Sequence, residues 1–213
     1  MDNQRTLKAK EKERTMKPLD AQRDHYRKLA KEQGYRSRAT YKLLELNNSY
    51  RIIGPGFSVV DLGCAPGGWM QAAVKLAGNK GKVIGVDTSY MDDVEGARFI
   101  KGSVEDESVI DEIMEYLGGR ANAVICDISP QITGHWSMDH AKQISLNYSC
   151  SKIMDRILAT KGNALFKVFD GEYSMEFRDY LKKKFAKVHL KKPNASRKPS
   201  SELYFVCLGY GLS

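Results

Sequence analysis

Residues 59–70 read Val-Val-Asp-Leu-Gly-Cys-Ala-Pro-Gly-Gly-Trp-Met: an apolar strand, an acid at Asp61, a glycine-rich turn and the start of a helix. Open parallel sheets bind ligands outside the carboxyl ends of their strands, where this turn would lie. Gly63, Gly67 and Gly68 carry no side chain, so a ligand can approach the backbone closely. The spacing is not the Gly-x-Gly-x-x-Gly of dinucleotide enzymes. Proline and tryptophan also stand where a phosphate cradle needs free amides and little bulk. The next apolar run ends in Val-Ile-Gly-Val-Asp, which puts Asp87 at a strand tip. An acid there suits a ribose diol. With no phosphate-loop lysine, the pattern favours a nucleoside carrying a small charged tail. The plainer reading is that Asp61 and Asp87 cap helices.

Outward from this loop, short apolar runs alternate with helical segments. The spacing predicts strands at 57–62, 82–87, 98–100, 123–127, 164–169, 186–190 and 203–208. Helices are predicted at 68–77, 106–117, 138–160 and 174–184. Such alternation argues an α/β fold with a largely parallel sheet covered on both faces. Upstream, residues 20–33 read as a helix with Asp20 as N-cap and Gly34 as stop, and residues 37–47 as a second. Residues 1–18 are polar and basic and read as a flexible arm. The domain then spans 19–213, with 19–50 as a helical, RNA-binding extension.

The net charge of +8 is unevenly placed. Residues 1–42 hold 13 Lys/Arg against 6 Asp/Glu, and residues 182–198 hold 8 and none, leaving the remainder at −7. Segregated basic blocks are the footprint of a polyanion partner, or else solvated charged faces. No apolar run approaches the roughly 20 residues of a membrane helix, and the N-terminus does not read as a secretory signal. Four scattered cysteines without a Cys-x-x-Cys pair fit a reduced, cytoplasmic protein without structural metal. His135 and His140 read as structural rather than metal ligands.

Lys167 stands in Ala-Leu-Phe-Lys-Val-Phe, where an ammonium is costly unless partnered. Strand geometry turns it away from Phe166 and Val168, toward partners or toward solvent on an edge strand. Asp127 ends the fourth strand and Glu202 opens the last. If the last strand runs antiparallel between its neighbours, Asp127, Lys167 and Glu202 share one rim, because adjacent strands lie about 5 Å apart. Lys42 could close the group from above.

Five runs complete the pattern: Tyr-Arg-Ser-Arg-Ala-x-Tyr-Lys-Leu at 35–43, Asp-Leu-Gly-x-Ala-Pro-Gly-Gly-Trp at 61–69, Asp-Ile-Ser-Pro at 127–130, Lys-Val-Phe-Asp-Gly at 167–171, and Lys-Pro-x-Ala-Ser-Arg at 192–197 followed by Ser-Ser-Glu-Leu-Tyr at 200–204. In this order they resemble the FtsJ/RrmJ (RlmE-type) ribosomal RNA ribose 2′-O-methyltransferases over residues 20–213. The resemblance implies a Rossmann-like S-adenosylmethionine methyltransferase fold, a seven-stranded sheet with one antiparallel strand. It implies a Lys42, Asp127, Lys167, Glu202 catalytic tetrad, and cofactor contacts from Gly63, Gly67, Trp69, Asp87, Ser103 and Asp127. Ser103 departs from the bacterial pattern, which has an acid there; serine still offers a hydrogen bond, without charge.

The implied activity is methyl transfer from S-adenosyl-L-methionine to a ribose 2′-hydroxyl; Lys167 is the candidate general base, and a charged Lys167 that only orients the hydroxyl stays open. The implied partner is ribosomal RNA or the large ribosomal subunit, with no membrane, no metal and a monomeric enzyme. Three alternatives stay open: a tRNA anticodon-loop enzyme of the same family, an amino-group methyltransferase reading Asp127-Ile-Ser-Pro as Asp-Pro-Pro-Tyr, and a non-catalytic RNA-binding assembly factor. The second lacks a stacking aromatic in that motif. No continuous aromatic-rich stretch marks a surface for stacking unpaired bases, so RNA recognition is expected from backbone contacts.

Overall fold

A computed structural model describes residues 18–196 and 200–211, with side chains from His25 onward. The expected arm lies outside the described residues except for Pro18, which opens α1 (Pro18–Glu32). The helix thus starts before Asp20, because proline's fixed φ suits the first helical position. Then come α2 (Thr40–Tyr50), β1 (Ser58–Leu62), α3 (Gly68–Ala77), β2 (Lys82–Asp87), β3 (Ala97–Lys101) and α4 (Glu107–Leu117). β4 (Ala121–Cys126), α5 (Trp136–Ile157), β5 (Leu158–Phe169), α6 (Ser174–Lys182), β6 (Phe185–Lys191) and β7 (Glu202–Tyr210) follow.

The seven strands form one sheet in the order β3-β2-β1-β4-β5-β7-β6. β7 lies between β5 and β6 and is antiparallel to both, as the shared rim requires. The expected α/β fold therefore holds. Alternation along each strand feeds two cores. Val60, Val124, Phe166 and Val168 pack under α4, α5 and α6. Val59, Ile125, Leu165 and Tyr204 pack with Leu43 and Leu46 of α2 and with Trp69 of α3.

Most boundaries differ from the sequence-based expectation by one or two residues, and the larger differences lie at α2 and at the start of β5. The helix expected over 37–47 starts at Thr40, because the Ser37 hydroxyl accepts from the Ala39 amide and holds a turn before it. Residues 158–160, expected as helix, open β5 instead: Leu158 pairs with Ala121, and the register then shifts so that Asn163 pairs with Ala123. Lys161 takes a positive φ of 68° within that irregularity. Sheet pairing here overrides the local apolar pattern.

Candidate active site

The Tyr35–Leu43 run works as a clasp. The Arg36 amide donates to Gln71 Oε1 (2.8 Å), and Gln71 Nε2 donates to the Gly34 carbonyl (3.0 Å). Thr40 Oγ1 donates to the Gly68 carbonyl (3.0 Å). Arg36 also donates to the carbonyls of Pro66, Asp92 and Asp93. These bonds fix α2 against the start of α3 and hang Lys42 over the sheet rim.

The four expected catalytic side chains meet there. Lys42 Nζ lies 2.7 Å from Glu202 Oε2, and Lys167 Nζ lies 3.2 Å from Asp127 Oδ1. Lys167 also donates to the Asp127 carbonyl at 2.5 Å. Both lysines are about 4% exposed, so the solvated edge-strand reading of Lys167 does not hold. Tyr204, which sequence reasoning missed, joins the two pairs: its hydroxyl accepts from Lys42 (3.2 Å) and donates to Asp127 Oδ1 (3.1 Å). The signal was available, since Tyr204 is two residues from Glu202 and faces the same side of β7 as its cross-strand partner Lys167. Burial, then the charges of Asp127 and Glu202, push the Tyr204 phenol well above its ordinary pKa. Burial would also raise the Glu202 carboxyl, but the charge and hydrogen bond of Lys42 and the charge of Lys167 outweigh it and hold it below its ordinary value.

β5 needs outside help at this point, because its ladder with β4 stops at Phe166. The Lys167 carbonyl accepts from Gln143 Nε2 (3.1 Å) and Asn147 Nδ2 (2.8 Å) of α5 instead. A buried carbonyl left unpaired would be costly, so these amides fix the strand that carries Lys167.

Beside the tetrad lies a cavity of about 580 Å³ at the carboxyl ends of β1–β4. Gly63, Asp87, Ser103 and Asp127 line it, as expected, together with Glu105 and Gln131, which were not foreseen. The wall holds three carboxylates and no lysine or arginine. That charge rejects phosphate and suits a cationic ligand. Gly63, at φ 76°, is required: a Cβ there would stand 2.9 Å from Ile128 Cα and close the floor. Asp87 accepts from the Ala65 amide (3.0 Å) and the Ser89 amide (2.8 Å), so it also shapes the loop. Asp61 is fully buried and neither carboxyl oxygen has a partner among the described residues. Burial, then the charges of Asp127, Cys126 and Asp87, push its pKa well up.

The structure does not bring Gly67 or Trp69 into that wall. A Cβ on Gly67 would meet the Arg36 guanidinium at 2.8 Å. The Trp69 ring is buried 5.9 Å from the Tyr204 ring, and its indole N–H donates to the Ala39 carbonyl (2.8 Å). Both serve the clasp rather than the cavity.

Two further surfaces flank the site. A cleft of about 540 Å³ between α1 and the 34–38 turn is lined by Arg27, Lys31, Arg36 and Arg38. The second basic block is divided. Lys182 and Lys184 face the acids Asp179 and Asp155 at the start of β6, the sheet edge away from the site. Lys191 lies at the other end of β6, beside the site edge. The absence of an aromatic surface, expected from the sequence, does not hold. Trp136 (50% exposed) and Tyr173 (44%) stand together, brought from distant positions by α5 and the β5–α6 turn.

Comparisons with known proteins agree with this fold. Ribosomal RNA large subunit methyltransferase E of Nitrosopumilus maritimus is 70% identical over 195 residues, 92% of this chain and 99% of that one. The Methanocaldococcus jannaschii protein of the same name is 42% identical over 197 residues, 90% of this chain and 80% of its own. A crystal structure of a Plasmodium falciparum protein, described as a ribosomal RNA methyltransferase, superposes with a TM-score of 0.75 at 30% identity, covering 83% of this chain and 98% of that one. The sequence profile of the FtsJ-like methyltransferases matches residues 35–210, from the clasp through β7. By fold, motif order and the extent of these matches, the chain belongs to the FtsJ-like methyltransferase family.

Proposed function

We propose that this protein transfers a methyl group from S-adenosyl-L-methionine to the 2′-hydroxyl of a ribose, in a uridine of large-subunit ribosomal RNA. The observation that carries the reading is Asp127. It lines the acidic cavity and is ion-paired to the buried Lys167, so it joins a place for the methyl donor to a place for the acceptor. The relatives' names supply the RNA class.

The cavity fits the donor by its chemistry. Its volume lies within the usual range of about 300–1,000 Å³ for small-ligand sites. Three acids without a cation favour a sulfonium and an amino group. Gly63 would offer its backbone, Asp87 the ribose contacts, and Ser103 an uncharged hydrogen bond. The bound donor would supply a methyl carbon made electrophilic by its positive sulfur.

The chain's own residues then serve the hydroxyl. Lys167 Nζ orients it and, when uncharged, takes its proton. Asp127 holds Lys167 in place through two contacts. Lys42 and Glu202 balance the charge beside it, and Tyr204 ties the two pairs together. The basic cleft at Arg27, Lys31, Arg36 and Arg38 offers a phosphate path to this rim and supports the helical extension as an RNA-binding element. The enzyme acts as a cytoplasmic monomer in this reading.

Transfer of labelled methyl groups tests it, with ribosomal particles, naked large-subunit RNA and tRNA transcripts as acceptors and the modified position mapped by its resistance to alkaline cleavage. Label on a large-subunit ribose is expected. Label on tRNA alone would move the target to the anticodon-loop relatives, label on a base amine would indicate an amino-group enzyme, and no transfer with bound RNA would leave an assembly factor.

A further inference from the structure

The described residues expose seven large apolar side chains, and five of them sit on two short segments: Ile132, Trp136 and Met138 at the start of α5, and Tyr173 and Met175 around the start of α6. Clustered exposure of this kind marks an interaction site. We infer that this patch is a stacking platform for an unpaired nucleobase of the substrate RNA near the methylated ribose. The inference rests on the RNA reading above and adds a base contact to it.

The platform is continuous with the tetrad. Phe169 follows Lys167 by two residues on the same face of β5. The Trp136 ring lies 6.0 Å from Phe169. It stacks on His140 at 6.1 Å with 14° between planes, and His140 stacks on Tyr173 at 5.6 Å with 12°. Three near-parallel rings therefore stand beside the strand that carries Lys167. Only the middle ring is buried.

The rings are held before any ligand arrives. Asp139 accepts from the Thr133 amide (2.9 Å), the Thr133 hydroxyl (2.8 Å) and the Gly134 amide (3.1 Å), which locks the turn leading into Trp136. These backbone bonds, the largest influence, keep the Asp139 carboxyl below its ordinary pKa despite the opposing effect of burial. His140 Nε2 accepts from the Tyr173 amide (3.1 Å), which fixes the backbone that carries the other ring. The imidazole sits directly over Gly171, where a Cβ would come within 2.7 Å of it. A rigid aromatic surface loses little conformational freedom on binding.

Charge selects the ligand. The cleft between the rings has a volume of about 280 Å³ and is also lined by Ser137 and Glu172. Asp170 and Glu172 are both exposed beside it. Acids here repel phosphate, so this is not a backbone site like the basic cleft on α1. A base offers a neutral face to the rings. Its exocyclic amine offers a donor to Glu172, which adenine, cytosine and guanine have and uracil lacks.

Intrinsic fluorescence isolates the test, because the chain has two tryptophans and Trp69 is buried. The full chain is titrated at low salt with short single-stranded oligoadenylate, oligocytidylate and oligouridylate, and with an abasic strand of equal length. Adenylate and cytidylate are expected to quench Trp136, and the abasic strand to leave it unquenched. Read by anisotropy of end-labelled strands, since the Trp136 variants lack the fluorescent reporter, Trp136→Ser and Tyr173→Ser should each weaken base-containing strands about tenfold, within the range for one stacked base, while Trp136→Phe keeps the affinity. Glu172→Gln should erase the preference over uridylate. Equal quenching by the abasic strand, or unchanged affinity in Trp136→Ser, would overturn the inference. So would a Trp136→Ser chain that loses ribosomal particles but keeps the oligonucleotides, which would make the patch a protein-docking face. Because binding is read without turnover, failure of the methyl-transfer reading shows separately, in the labelled-methyl assay.

Discussion

The Tyr204 hydroxyl donates to Asp127 Oδ1 at 3.1 Å while accepting from Lys42, so one buried phenol couples two ion pairs. Removing it leaves each lysine with its own carboxylate. Tyr204→Phe is therefore expected to slow methyl transfer roughly tenfold, the lower end of the scale for a hydrogen bond to a charged group because Lys42 and Asp127 keep their own ion-pair partners, and to leave cofactor affinity unchanged. Steady-state rates and calorimetric titration check this. A loss as large as that of Lys167→Ala would place Tyr204 in the proton transfer itself.

Lys167 is the buried amine closest in role to a base. Lys167→Ala should reduce turnover by about 10²-fold or more, the usual worth of general-base assistance, with cofactor still bound. Single-turnover assays with saturating cofactor measure it. Residual turnover above about a tenth of the parent rate would remove the base assignment.

Glu202 gives the site a dependence on acid. A carboxyl whose folded pKa lies below its unfolded value contributes stability that is complete above the unfolded value and lost as pH falls through the folded one. For Glu202 that window lies below its ordinary 4.5. Lys42→Met removes the attraction that offsets burial, so the carboxyl should titrate higher. Thermal melts from pH 3 to 7 should show the variant less stable than the parent near neutrality, with the gap narrowing as pH falls, because acid removes the parent's Glu202 contribution and relieves the variant's buried charge. Coincident pH profiles for the two proteins would contradict the pairing as the cause.

Asp87 lines the cavity and holds its loop, and in the proposed function it accepts from the donor's ribose. Asp87→Ala should weaken S-adenosyl-L-methionine binding more than any tetrad substitution, because it removes both the ribose acceptor and the anchor of the Ala65 and Ser89 amides. Calorimetry gives the comparison directly. An unchanged dissociation constant would exclude Asp87 from the ligand.

RNA affinity should fall steeply with salt, with a log–log slope equivalent to about 4–8 phosphate contacts. The structure refines which lysines matter. Lys184 is committed to Asp155 at the far edge of the sheet, while Lys191 lies by the site. Replacing Lys191 with glutamine should lower the slope by about one. The same change at Lys75 and Lys80, beyond the basic blocks, should leave it unchanged. Filter binding across a salt series distinguishes them.

The fold was legible because the strand tips carry acids and the loops between them are short. Asp87, Asp127 and Glu202 each read as the end or start of a strand, and the sheet order then brings the last two together. What was hidden depends on contacts between distant segments. Trp69 sits in a motif that looks like a ligand loop, yet its ring faces Ala39 and Tyr204. Leu158–Thr160 continue an apolar helical pattern but are captured by Ala121 in the sheet. Trp136 and Tyr173 are isolated aromatics along the chain, and only the packing of His140 between them makes a surface.

Because β7 slots between β5 and β6, the order of synthesis differs from the order of assembly. Lys42 leaves the ribosome 160 residues ahead of Glu202, its ion-pair partner. A nascent chain can thus build the cavity floor and the clasp while the gap beside β5 is still open. The tetrad is complete only when Glu202 and Tyr204 arrive together on one strand, so a chain cut short before β7 would carry the cavity yet lack both residues that tie Lys42 into the site.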